Sequence, residues 1–129
     1  MRALVITRQV VLWSIAAFLV YVFLRQGIAK FSDDSGWARA FRVWHYPDWF
    51  RVLVGVTEVV AAMLLLVPRT ALAGGLLIIL VMLGAMGTHI FSGHPAQVTS
   101  EVVPLILATI VVLGRRRSFF RFGNRRHSA

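Results

Sequence analysis

Among the ionisable residues inside the long apolar segments of this sequence, Glu58 and His89 are the leading candidates for chemistry. Glu58 is flanked by Val56 and Val59, so no neighbour along its own helix can neutralise its charge, and His89 lies near the end of another apolar segment. A charge within a membrane-spanning segment is costly and marks a functional site by default. We predict that Glu58 accepts or relays a proton and that His89 hydrogen-bonds a ligand. A purely structural ion pair at Glu58 is the alternative.

Basic residues lie at the depth of Glu58 in the preceding segment. Glu58 is about eight residues from the start of its own segment, or roughly 12 Å along a helix. Arg25 and Lys30 lie at the end of the first segment, while His89 and Glu101 fall in the same half of theirs. Buried charges persist only where they pair or reach water. We predict one polar pocket, in which Glu58 pairs with Arg25 or Lys30 and His89 bonds either Glu58 or a ligand.

The methionines near His89 do not predict a metal site. Met82 and Met86 precede His89 at near-helical spacing, and a face of this kind could hold copper or haem iron. Methionine at helical spacing is more often core packing, so no metal is predicted. The chain has no cysteine, which excludes disulfides, thiolate catalysis and iron–sulfur ligation.

The composition indicates a membrane protein. The chain of 129 residues is 58% hydrophobic and only 15% charged, whereas soluble proteins contain about 25% charged residues. Its net charge of +9 does not predict nucleic-acid binding, because the arginines are confined to the chain ends and to short gaps between apolar segments. Membrane lipid is the partner that this pattern predicts.

Four apolar segments approach the length of about 20 residues that a helix needs to cross a bilayer. They cover about residues 9–28, 50–67, 70–91 and 96–114, and Pro104 either opens or kinks the fourth. A basic tail follows at 115–129, whose arginines and phenylalanines contact anionic lipid headgroups or act only as a topology signal. The predicted fold is all-α, a single-domain integral membrane four-helix bundle.

The positions of lysine and arginine predict the orientation of this bundle. With four spans the termini share a side, which then carries nine of these residues against five on the other side. Cytoplasmic segments hold the excess of positive charge. We therefore predict a multi-pass protein with both termini in the cytoplasm.

A short amphipathic helix is predicted outside the membrane between the first and second spans. Trp37, Phe41 and Trp44 recur at the spacing i, i+4, i+7, while Arg39 and Arg42 fall on another face. This pattern is typical of a helix that lies at the bilayer interface. The aromatic face serves either as a lid over the pocket or simply as an anchor.

Several short motifs follow one another along the chain. They are Gly27-Ile28-Ala29-Lys30-Phe31, Trp37 to Phe41, Tyr46-Pro47-Asp48-Trp49, Gly55-Val56-Thr57-Glu58, Leu64 to Arg69, Met82-Leu83-Gly84-Ala85 and Thr88-His89. This ordered set resembles the DoxX family of small four-helix bacterial membrane proteins. One departure is His45, where the family has glycine before the Tyr-Pro step, and this affects the expected local turn.

The resemblance implies a bundle in the bacterial cytoplasmic (inner) membrane, and it links some members to thiosulfate:quinone oxidoreductase or to other membrane redox complexes. On that basis we expect a subunit of a redox-linked complex that binds a quinone, together with other membrane protein subunits. The alternatives are a non-catalytic assembly subunit and, less favoured, a transporter. The candidate catalytic residues are Glu58 and His89, and the candidate ligand-binding residues are Arg25, Lys30, Trp37, Tyr46 and Thr88.

Overall fold

The computed structural model describes residues 1–127, with the side chains of residues 1–116, as five α-helices and one short 3-10 turn. Four of the helices contain stretches long and apolar enough to cross a membrane. The predicted all-α fold with four candidate membrane spans is confirmed. The helices are α1 (Arg2–Ala29), α2 (Gly36–Val43), α3 (Asp48–Leu66), α4 (Ala71–Phe91) and α5 (Thr99–His127), and the turn is Pro95–Val98.

The helix limits differ from the predicted spans mainly at the chain ends. α1 begins at Arg2, and α5 continues to His127, well past the predicted end near residue 114. Hydropathy marks the apolar part of a helix, not its hydrogen-bonded ends, which explains both differences. Pro104 lies inside α5, because the 3-10 turn ends at Val98 and α5 already begins at Thr99. The side chains of the predicted lipid-facing tail beyond residue 116 lie outside the described residues.

The four long helices form a ring in the order α1, α3, α4, α5, with α5 packed back against α1. Each helix turns one stripe of residues at helical spacing into the bundle and exposes apolar side chains on its outer face. The stripe of α3 contains two charged residues, so this helix brings charge into the interior. Its members are Arg51, Gly55, Glu58, Ala61, Ala62 and Leu65.

A proline sets the tight connection between α3 and α4. The residue before a proline is biased away from helical backbone angles, and Val67 adopts φ −105° and ψ 121°, which ends α3 at Leu66. The Thr70 hydroxyl then donates a hydrogen bond to the Leu64 carbonyl at 2.8 Å. This short turn makes α3 and α4 antiparallel neighbours.

The short helix α2 has a defined start and end. The Ser35 hydroxyl caps it by accepting a hydrogen bond from the Ala38 N–H at 3.2 Å. At the other end the Tyr46 N–H donates to the Phe41 carbonyl, a Schellman pattern that needs a left-handed residue at position 45. His45 takes that role with φ 62°, whereas Gly93 does so with φ 82° in the same pattern after α4. The tight turn at position 45 is therefore made although the residue there is histidine and not glycine.

The aromatic face of α2 is turned toward the bundle. The Phe41 side chain is buried, and its ring lies 5.4 Å from that of Trp44 and 6.2 Å from that of Phe50 at the start of α3. Trp37 and Trp44 are half-buried on the same face. The helix expected between the first two spans is thus present, and its aromatic residues cover the interior as a lid would.

Candidate functional site

A cavity of about 570 Å³ lies between the long helices, beneath α2. Cavities that bind small molecules typically have volumes of about 300–1,000 Å³ and are mostly apolar with a few polar groups. The apolar lining includes Phe23, Phe41, Phe50, Leu53, Leu80 and Met82. The polar lining includes Lys30, Tyr46, Glu58, Thr88, His89 and Glu101.

Lys30 and Glu58 form a buried ion pair in the cavity wall. Nζ of Lys30 lies 2.8 Å from Oε2 and 3.0 Å from Oε1 of Glu58, and each side chain is only 3% exposed. A buried pair of this kind holds together only because each charge compensates the desolvation of the other. Of the two partners predicted for Glu58, the structure selects Lys30.

Two glycines allow α1 and α3 to approach closely at this pair. A Cβ atom on Gly27 would lie 2.9 Å from the Gly55 carbonyl oxygen and 2.8 Å from a Val59 methyl group. A Cβ atom on Gly55 would lie 2.9 Å from the Gly27 carbonyl oxygen and 3.1 Å from Cβ of Lys30. The backbones therefore meet at the point from which Lys30 reaches Glu58.

Trp37 closes the Lys30–Glu58 pair from the side of α2. The centroid of its ring lies 3.7 Å from Nζ of Lys30, which is a cation–π contact. The ammonium group thus lies between a carboxylate and an aromatic face. This contact connects the aromatic face of α2 directly to the charged pair.

Tyr46 and Thr88 join the end of α2 to α4 by a hydrogen bond of 2.8 Å between their hydroxyl groups. The Thr88 hydroxyl also lies 3.0 Å from the Gly84 carbonyl oxygen, which can only accept. If the proton of Thr88 is given to that carbonyl, Tyr46 donates to Thr88. The Tyr46 oxygen then keeps lone pairs that can accept a hydrogen bond from a ligand.

His89 lies beside a different carboxylate from the one expected as its protein partner. Its Nε2 lies 3.5 Å from Oε1 of Glu101 in the first turn of α5, and its ring meets the Trp44 ring edge-on at 5.4 Å. No hydrogen bond joins His89 to Glu58 among the described residues. Glu101 is the nearer partner because α5 packs against α4. Nδ1 of His89 is buried and has no hydrogen-bond partner in the described part of the chain.

Arg25 lies outside the cavity. Its side chain is exposed on α1, and its Nη1 is 3.4 Å from the Tyr21 hydroxyl. Residues five positions apart are rotated by about 140° around a helix axis, so Arg25 cannot share the inward face of Lys30. The predicted ligand contact of Arg25 is therefore not one that this cavity provides, whereas Lys30, Trp37, Tyr46 and Thr88 all line it.

Arg51 is a buried residue of this region, although in the sequence it is only one of the five Lys and Arg residues counted on the side opposite the termini. Its side chain is 1% exposed, and it donates hydrogen bonds to the carbonyls of Lys30 at 2.9 Å and Ser32 at 2.8 Å. It also pairs with Asp33 at 2.8 Å. Arg51 thereby fixes the connection from α1 to α2, and with it Lys30. Its spacing to Gly55 and Glu58, i, i+4, i+7, was the signal that places it on the buried face.

The cavity has an opening between α3 and α4. Leu53 is 51% exposed and Leu80 is 65% exposed, although both line the cavity. Gly84, one turn after Leu80 on α4, also lines the cavity and is exposed, and a Cβ atom there would meet nothing within 4 Å. The opening is bordered by apolar side chains of two membrane-spanning helices, so it faces the hydrocarbon of a bilayer.

A second crevice of about 480 Å³ adjoins the cavity on its α2 side. It is also lined by Ser35 and Gln97, which lie in the connections between the α-helices. The two spaces share the side chains of Trp37, Trp44, His89, Ser100 and Glu101 as a common wall. The His89–Glu101 pair thus stands between this crevice and the inner cavity.

Comparisons with known proteins agree with this architecture. A Bacillus subtilis (strain 168) protein described as "Uncharacterized protein YdgD" is 25% identical over 107 residues, which is 78% of this chain and 90% of the relative. No solved structure matches the chain. Residues 14–113, which run from the first long helix to the membrane-spanning part of α5, match the DoxX-like family. The chain is a member of the DoxX-like family of membrane proteins.

Proposed function

We propose that this protein binds a quinone or a similar lipophilic carbonyl compound in the cavity beneath α2, as a subunit of a redox-linked membrane complex. The observation that carries the proposal is the meeting of an apolar wall and three polar pairs inside one cavity of about 570 Å³. The apolar wall suits an isoprenoid or alkyl chain. The polar pairs suit a head group that accepts hydrogen bonds.

The lateral opening supports a ligand that arrives from the membrane. A quinone is dissolved in the bilayer, and its path into the cavity would pass between Leu53 and Leu80 beside Gly84. A water-soluble substrate would instead need a polar entrance. The border of this opening is apolar, which favours the lipophilic compound.

The polar residues divide into two roles under this proposal. A bound quinone would supply reversible electron and proton uptake. His89 would hydrogen-bond a carbonyl oxygen, and Tyr46 would accept a hydrogen bond from the hydroxyl group of the reduced quinol. Glu58 would accept a proton, and Lys30 would balance the charge that remains. The His89–Glu101 pair borders both the crevice and the cavity. It would exchange protons with water on the α2 side of the membrane.

A titration with quinone tests the binding. We expect ubiquinone-1 and a short-chain menaquinone to quench the fluorescence of Trp37 and Trp44 saturably in the purified protein, because both rings line the cavity. Trp13 and Trp49 are replaced by Phe in the background, since both are exposed. An alkylbenzene of equal chain length, which lacks carbonyl groups, should not saturate.

Gly84→Leu is the matched variant, because open space at this position lets the new side chain occupy the cavity mouth. We expect it to weaken quinone binding by about tenfold or more, or about 1.4 kcal/mol. Quenching that rises linearly and equally in both proteins would overturn the proposal. The non-catalytic assembly subunit would then be the better description, with a helix of another subunit packed against the open glycines Gly84 and Gly87.

The proposal retains the predicted orientation in the bacterial cytoplasmic membrane, with α2 on the outer side. Reporter fusions should show the carboxyl terminus after Ala129 in the cytoplasm and an insertion near Ser35 outside, since nine Lys and Arg lie on the terminal side against five. An Ala129 fusion that reports from outside would reverse the orientation. The protons exchanged through the His89–Glu101 pair would then come from the cytoplasm.

A further inference from the structure

The end of the bundle opposite α2 is rich in arginine. All five Asp and Glu residues fall between positions 33 and 101, in the half that carries α2. The terminal half contains nine arginines and no acidic side chain. Asp and Glu side chains are thus confined to the other half, whereas anionic lipid headgroups are able to balance positive charge at this end.

Two of these arginines are held together where α1 meets α5. Nη2 of Arg8 donates to the Gly114 carbonyl at 2.7 Å, and Nη1 of Arg115 donates to Oε1 of Gln9 at 3.3 Å. The helices come close here because Gly114 has no side chain, and a Cβ atom at that position would lie 2.6 Å from Leu12. The fold thus brings two like charges side by side.

The Arg115 guanidinium is buried, but few groups around it compensate its positive charge. It is 5% exposed, its Nε has no hydrogen-bond partner, and no carboxylate pairs with Arg8 or Arg115 in the described part of the chain. The Gln9 contact of 3.3 Å is long for a bond of this type. A phosphate oxygen would be a stronger acceptor for a guanidinium than this amide.

The position along the helices points to lipid as the source of the phosphate. The apolar part of α5 ends at Leu113, and three arginines follow at 115–117, so Arg115 lies where the hydrocarbon gives way to headgroups. Trp13 lies beside it, with its ring 5.2 Å from Cζ of Arg115, as aromatic residues do at a membrane interface. We propose that Arg8 and Arg115 form a binding site for the phosphate of an anionic phospholipid in the groove between α1 and α5.

Phosphatidylglycerol tests this site independently of the quinone proposal. In delipidated protein in detergent, we expect added phosphatidylglycerol to raise the unfolding temperature saturably, with much less effect from phosphatidylcholine or inorganic phosphate. Arg8→Gln and Arg115→Gln should each require about tenfold more lipid, because each removes a charge-assisted hydrogen bond. Arg116→Gln is the matched control, since Arg116 is the exposed neighbour at the same depth and carries the same charge.

The outcomes separate a built site from a diffuse charge effect. Equal weakening by Arg116→Gln and Arg115→Gln would overturn the site, and so would an equal response to phosphatidylcholine. An equal shift with inorganic phosphate would overturn the lipid as the ligand. Arg8 is exposed, so Arg8→Gln keeps the test valid even if Arg115→Gln fails to fold.

Discussion

Replacing Lys30 with Met is expected to lower the free energy of unfolding by about 3–5 kcal/mol, which is the usual cost of removing one partner from a buried ion pair. Glu58 would keep its place inside the bundle without the ammonium group that now lies 2.8 Å away. In this variant the Glu58 carboxylate either stays charged without a partner or takes up a proton, and both states cost free energy. The measurement is unfolding by SDS in mixed micelles, followed by far-ultraviolet circular dichroism.

Two further variants isolate the pair. The double variant Lys30→Met with Glu58→Leu should recover most of the lost stability, because an apolar pair of similar volume often replaces a buried ion pair without loss. Arg25→Gln removes a positive charge from the same helix on an exposed face, and we expect a change within about 0.5 kcal/mol. A loss for Lys30→Met no larger than that of Arg25→Gln would mean that water reaches the pair.

Alanine substitutions at Gly27 and Gly84 are expected to change stability in opposite directions. Gly27→Ala should destabilise the bundle by about 1–3 kcal/mol, as is typical of overpacking. The new methyl group would lie 2.9 Å from the Gly55 carbonyl oxygen, and backbone cannot move aside as a flexible side chain can. Separation of α1 from α3 would also lengthen the Lys30–Glu58 contact.

Gly84→Ala is the control for the intrinsic helix preference of alanine. Nothing lies within 4 Å of the position its methyl group would take, so the variant should gain up to about 1 kcal/mol from the lower helix propensity of glycine. The same unfolding titration measures both variants. Destabilisation of equal size at both positions would show that the close approach of α1 and α3 is not what Gly27 provides.

The sequence identified the interior charge but could not choose its partner. Glu58 had to find a cation because its own helix offers none, and Arg25 and Lys30 were both at suitable depth. Which of them faces α3 depends on the rotation of α1 about its axis. That rotation is fixed by the Gly27–Gly55 crossing, a contact between residues far apart in the chain.

The sequence alone also could not predict the partner of His89 or the burial of Arg51. His89 meets Glu101 because α5 packs against α4, an adjacency that hydropathy does not encode. Arg51 was counted as a flanking charge, yet it folds back to bond the Lys30 and Ser32 carbonyls. Its spacing to Glu58 indicated a shared face but not that this face would be buried so near the helix start.

The sequence by itself determined the four apolar helices, the proline-terminated turn between α3 and α4, and the amphipathic α2, because each depends on local hydropathy, periodicity or backbone preference. Only the tertiary structure decided which residues share the cavity, where it opens, and that Arg8 meets Arg115 across the first and last helices. These features depend on how helices rotate and cross. In this protein those choices follow from contacts between glycines and side chains that lie on different helices.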